Sequence, residues 1–140
     1  MPPAIAQVLV RRGIDTPLKL SALLDPPHKL PYDPLRITGM DIALKRLYAA
    51  VNNGERVGVF GDFDVDGITG TAIISEGLTS LGVPVTPYLP HRVDEGHGLS
   101  NAAIDTMARQ GVTLIVTVDT GITSFEEVDY AKSLGVDVII

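Results

Sequence analysis

The chain has 140 residues, 45% of them hydrophobic, and 17 acidic against 11 basic side chains give a formal charge of −6. That suffices for one domain with a real core, and it lacks the basic excess that normally marks a nucleic-acid partner; metal ions at an acidic site or a basic groove on partner domains would still permit one. With no run of about 18 apolar residues and no basic-then-apolar leader, neither a membrane span nor a secretory signal is expected and the cytosol is the expected compartment, while the absence of cysteine leaves Asp, Glu, His or water to hold any metal.

In chain order, Ile5, Val8 and Leu9 predict a helix over 4–12, closed by Gly13. Four prolines within 25–34 then forbid a regular helix and predict an irregular, extended connector. The connector separates a helical, proline-rich segment, 1–37, from a main body, 38–140. Thr38 with Asp41 three residues on is a capping-box pattern. Met40, Ala43, Leu44, Leu47, Tyr48 and Val51 follow at helical spacing, as far as Gly54.

From there one phrase repeats: a β-branched run, a polar loop, an amphipathic helix, and Gly-Val into the next strand. The joints are Gly82-Val83, Gly111-Val112 and Gly135-Val136, with glycine suited to the left-handed position past a helix end. Strands are predicted over 57–60, 83–88, 113–118 and 137–140, and helices over 68–81, 100–110 and 124–134, the last opened by a Ser124/Glu127 capping box. Strands alternating with helices predict an α/β fold of Rossmann-like βαβ units, a parallel sheet covered by helices.

In such sheets ligands bind outside the carboxyl ends of the strands. There the first strand carries Asp62, Asp64 and Asp66, the third carries Asp119, and the loop after the second reads Pro90-His-Arg-Val-Asp-Glu-Gly-His-Gly98. Carboxylates about 4 Å apart repel by roughly 4 kcal/mol at an effective dielectric near 20, so either they point apart in a solvated turn bent at Gly67 or a hard divalent cation gathers them.

An EF-hand loop fails, because position twelve counted from Asp62 is Ile73 where a bidentate Glu is needed. A phosphate-cradling loop is weak: Gly61, Gly67 and Gly70 lie between strand and helix, but there is no Gly-Lys-Ser/Thr and three acids would repel bare phosphate. A phosphoryl-accepting receiver stays open. Two-metal phosphoester hydrolysis fits the residue types better, with Arg92 as a phosphate clamp; the plain alternative for Arg92 is a surface pair with Asp94 or Glu95. His97, between two glycines, is a ligand contact or an ordinary loop histidine, and Asp119 has an alternative reading as a turn or cap residue. His28 reads as structural, and Asp15, Asp33, Asp129 and Asp137 as caps, turns or solvated faces.

"GDFDVDGITGTAI" (61–73), "PHRVDEGHGLS" (90–100) and "VTVDTGI" (116–122), with "VLVRRGIDTP" (8–17) and "MDIALKRL" (40–47), resemble the DHH phosphoesterase superfamily, most closely its RecJ branch of single-strand-specific 5′→3′ DNA exonucleases. The resemblance covers nearly the whole chain. It implies Mn²⁺ or Mg²⁺ as cofactor, two ions in the complete domain, and single-stranded DNA as partner in repair or recombination. Position by position, it implies metal-ligand carboxylates at Asp64, Asp66 and Asp119, Asp62 in or beside the metal shell, and Arg92 and His97 beside the substrate. The branch has tyrosine at the position of His97 and cysteine at that of Thr120, which removes no ligand but bears on substrate contacts. It also implies that Asp-His-His follows the strand ending at Ile140. On that expectation the sequence is the first part of a DHH domain and nearly inactive by itself. The alternatives are a DHH phosphodiesterase for short oligoribonucleotides or cyclic dinucleotides, and a non-catalytic DHH-like scaffold.

Overall fold

The structure, a computed structural model, describes residues 1–25 and 33–140. The proline connector falls mostly on 26–32, so that expectation and His28 lie outside the described residues. The chain divides into two compact units, Met1–Met40 and Asp41–Ile140.

In the first unit α1 (Pro3–Arg11) matches the predicted helix within a residue. A second helix, α2 (Pro17–Leu24), adds to the predicted elements. Its start is nonetheless written in Thr16-Pro17: the Thr16 hydroxyl accepts the Lys19 N–H at 3.3 Å, and proline at the first helical position arrives with its φ already set. Asp33 caps a single 3₁₀ turn, Pro34–Arg36, by accepting the Leu35 N–H. Asp15 lies on the surface, paired with Lys19.

In the second unit the order is α3 (Met40–Asn53), β1 (Arg56–Gly61), α4 (Val65–Ser80), β2 (Val85–Tyr88), α5 (Asn101–Arg109), β3 (Val112–Val118), α6 (Phe125–Ser133) and β4 (Asp137–Ile139). The four strands form one parallel sheet in the order β2-β1-β3-β4, as the repeating phrase predicts. Alternation along β1 splits the core. Val57 and Val59 join Ala50 of α3, Leu78 of α4 and Leu114 on one face. Phe60 joins Ala103, Ile104 and Met107 of α5 and Ala131 of α6 on the other. Thr113 is an extra residue in the β1–β3 ladder, where Arg56 pairs Val112 and Val57 pairs Leu114. That shift turns Val112 to the α5 side while Leu114 faces α3 and α4.

The Gly-Val joints do what their sequence implies. Gly82, Gly111 and Gly135 all have positive φ, and the N–H groups of Val83 and Val136 bond back to the carbonyls of Leu78 and Ala131, the Schellman closure. Four boundary expectations are corrected. α3 starts at Met40, whose N–H bonds Ile37 O, so Thr38 belongs to the preceding turn and does not cap the helix. Ser124 is the residue before α6, but its buried hydroxyl makes no cap bond. β2 begins at Val85, which pairs Val57, and Pro84 just before it contributes only its carbonyl, accepting the Val57 N–H at 3.0 Å. α4 begins at Val65, three residues early, for a reason that lies in the site.

Opposite the rim predicted to bind ligand, Asp137 is not merely solvated. Arg46 of α3 donates to Asp137 at 2.5 Å and to Glu55 at 2.7 Å, and Glu55 also accepts from Thr113 and Asn53. These bonds fasten α3, β1, β3 and β4 at one end of the sheet. No helix among the described residues is long and apolar enough to cross a membrane.

Candidate functional site at the carboxyl rim of the sheet

β1 and β3 run side by side to Gly61 and Val118, and the Asp62 N–H extends the ladder by bonding Val118 O at 3.3 Å. Asp62 and Asp119 are therefore the next register positions on neighbouring strands, which lie about 4.8 Å apart. Asp119 adopts φ +58, the one non-glycine residue in the left-handed region among the described residues. Aspartate tolerates that conformation at a cost, and such costs concentrate at functional rims. Thr117 Oγ1 donates to Thr120 O at 2.9 Å and holds the turn that imposes it.

The carboxylates of the first loop are placed differently from one another. Asp62 accepts the Phe63 N–H through Oδ1 at 2.7 Å, and its other oxygen lies 3.3 Å from His97 Nδ1. Asp64 accepts the Gly67 N–H at 2.9 Å and so caps α4. That cap is why the helix starts at Val65. Asp66, exposed in the first turn, stands where a negative charge meets the positive end of the helix dipole.

Glycine lets α4 begin this close to β1. A Cβ on Gly67 would stand 2.5 Å from Asp62 N, and one on Gly70 2.5 Å from Val118 Cγ1. The tight junction keeps Asp64 and Asp66 on the same rim as Asp62 and Asp119.

The loop after β2 reaches this rim from the side. Glu95 ties it down, accepting the His91 N–H at 2.8 Å and the Tyr88 hydroxyl at 2.5 Å. The His91 N–H and the Tyr88 hydroxyl hold the Glu95 carboxyl below its usual range, and the bond to Glu95 pushes the Tyr88 hydroxyl up to about 12. Asp94 pairs with His91. Arg92 pairs with neither acid: its guanidinium lies over the Phe63 ring, 5.0 Å from the centroid. His97 packs on the same ring with centroids 4.4 Å apart.

Among the described residues, no three His, Asp or Glu side chains stand together so as to hold one ion. The rim brings Asp62 and His97 into contact and sets Asp119 beside Asp62 in register, while the Asp64 carboxylate is turned back onto its own helix. As donor chemistry, oxygen ligands with an imidazole at hand and no thiolate fit Mg²⁺ or Mn²⁺.

The DHH family, N-terminal domain, matches this chain over residues 56–140. The chain belongs to the DHH family. The Bacillus subtilis single-stranded-DNA-specific exonuclease RecJ is 38% identical over 138 residues, 99% of this chain and 18% of the relative. A crystal structure of exonuclease RecJ bound to manganese superposes with a TM-score of 0.70 at 39% identity, covering 77% of this chain and 28% of that one. RecJ from Thermus thermophilus, in complex with Mg²⁺, superposes with a TM-score of 0.53 at 30% identity, covering 94% of this chain and 14% of that one. This DHH-family chain thus spans less than a third of these relatives.

At this rim, two residues lie outside those that the sequence singles out. Phe63 sits between two acids, and an aromatic inside a charged loop at a strand end has no core to fill, which is a signal in itself. Glu95 stands out in the sequence only as a partner for Arg92. The Asp64-x-x-Gly67 cap is legible as Asp three residues before the N–H it accepts, and the acidic repeat masks it.

Proposed function

We propose that the protein containing this chain is a cytoplasmic exonuclease that removes nucleotides from the 5′ end of single-stranded DNA by Mn²⁺- or Mg²⁺-dependent phosphodiester hydrolysis, in DNA repair or recombination. The observation that carries the reading is the rim itself: Asp62, Asp64 and Asp66 at the end of β1, beside Asp119 at the end of β3, in a chain of the DHH family. Asp64, Asp66 and Asp119 would hold metal, with Asp62 in or next to the shell. Divalent ions, when bound there, supply an activated water and neutralise charge on the phosphate.

The chain's own side chains do the rest. Arg92 offers a planar fork of donors to phosphate oxygens. His97, held against Asp62 and Phe63, places a ring nitrogen at the same edge. Asp62, bonded to both the Phe63 N–H and His97, joins the carboxylate loop to the Arg92 loop.

The test uses the full-length protein and DNA labelled at either end. It is expected to release mononucleotides from the 5′ end of single strands in Mn²⁺ or Mg²⁺ and to stop in EDTA. Preferential cleavage of short oligoribonucleotides or cyclic dinucleotides would move the reading to another DHH phosphodiesterase. Absence of any hydrolysis would move it to a scaffold.

A further inference from the structure

We propose that Phe63 is a positioning residue: its ring is the platform that holds Arg92 and His97 beside the carboxylates, ready for a substrate phosphate. The inference rests on the reading of Arg92 and His97 as phosphate contacts. Phe63 lies between Asp62 and Asp64, and its N–H is fixed by Asp62 Oδ1 at 2.7 Å, so the ring leaves a locked backbone. It carries both loop residues at once, the Arg92 guanidinium at 5.0 Å and the His97 ring at 4.4 Å with planes 46° apart.

The loop needs such a support. Arg92 and His97 are exposed, five residues apart, in a segment without regular structure. Glu95 fastens that segment to Tyr88 and to the His91 N–H, but its bonds go to neither of the two side chains. The groups that orient them are Phe63 and, for His97, Asp62. A flat ring under a guanidinium leaves the edge donors free while the face is used. Without the ring, both side chains must be ordered at the moment of binding, and that cost falls on substrate affinity and not on the chemical step.

The test compares Phe63→Leu, Phe63→Tyr, Arg92→Ala and the Phe63→Leu/Arg92→Ala pair in the full-length protein, with 5′-phosphorylated single-stranded DNA and Mn²⁺. Phe63→Leu is expected to raise KM by about tenfold with kcat within about twofold. Phe63→Tyr, which keeps the ring, is expected to restore wild-type values. The paired variant should be worse than Arg92→Ala alone by clearly less than the Phe63→Leu factor, because part of the Phe63 effect acts through Arg92 and only the remainder through His97. An unchanged KM in Phe63→Leu, a fall in kcat alone, failure of tyrosine to rescue, or effects that simply multiply in the pair would each overturn the proposal.

A second measurement does not depend on activity. In the 140-residue chain, the His97 ring protons and Arg92 side-chain protons should show ring-current shifts that vanish in Phe63→Leu and persist in Phe63→Tyr. Shifts unaltered by Phe63→Leu would overturn the platform itself. A wild-type protein without nuclease activity would instead sink the functional reading and leave this measurement to decide the contact.

Discussion

Asp64 is observed as a cap and proposed as a metal ligand, and the two roles can be separated. As a cap it satisfies the Gly67 N–H, and its loss costs on the order of 1 kcal/mol of stability; as a proposed metal ligand it supplies a charged oxygen. Asn caps as well as Asp but brings no negative charge. Asp64→Asn is therefore expected to melt like the wild type while the full-length protein loses hydrolysis, whereas Asp64→Ala loses both activity and some stability; thermal denaturation and a nuclease assay separate them. Asp119 needs the same care, because φ +58 suits Asp or Asn far better than alanine. The residue types of the rim are legible from their place after strands, since polar groups at the carboxyl ends of parallel strands have no core to enter. The contacts among them are not. Arg92 resting on Phe63 depends on how the loop folds back over β1, and no spacing in the sequence encodes that.

At the scale of elements, the βαβ repeat is readable because α4, α5 and α6 are each followed by Gly-Val and the strands are rich in β-branched residues, two local signals that agree. Element starts are less readable, as a cap competes with the hydrophobic period for where a helix begins. α4 starts at its Asp cap, ahead of the apolar stripe that predicts it. Its junction with β1 makes a sharp prediction: Gly67→Ala places a methyl against the Asp62 backbone. It is expected to cost about 1–3 kcal/mol, read as a lowered denaturation midpoint.

At the opposite end of the sheet, the Arg46 bond, then Thr113, hold the Glu55 carboxyl down to about 2 from an ordinary 4.5. A depressed folded-state value contributes stability above about pH 4.5 that is lost as pH falls toward 2. Glu55→Gln should flatten stability across that window in acid-denaturation curves; an unchanged curve would show that the Arg46 network does not carry it. The network escapes a sequence reading because it joins residues up to 91 positions apart.

For the whole molecule, net charge and length set the terms. A chain of formal charge −6 has no surplus of cations to release counterions from DNA, and it spans 18% of its Bacillus subtilis relative. We expect the 140-residue chain alone to retain little single-stranded DNA at physiological salt and to show almost no nuclease activity; robust Mn²⁺-dependent degradation by it would contradict this. Under the proposed function, the carboxylates at the ends of β1 and β3 hold the ions that drive hydrolysis. The most direct measurement is the Mn²⁺-dependent release of nucleotides from 5′-labelled single-stranded DNA by the full-length protein, its Asp64→Asn and Asp119→Asn variants beside it at matched stability. Each variant is expected to fall by more than about a hundredfold with its fold intact; near-wild-type rates in either would show that these carboxylates do not hold the ions.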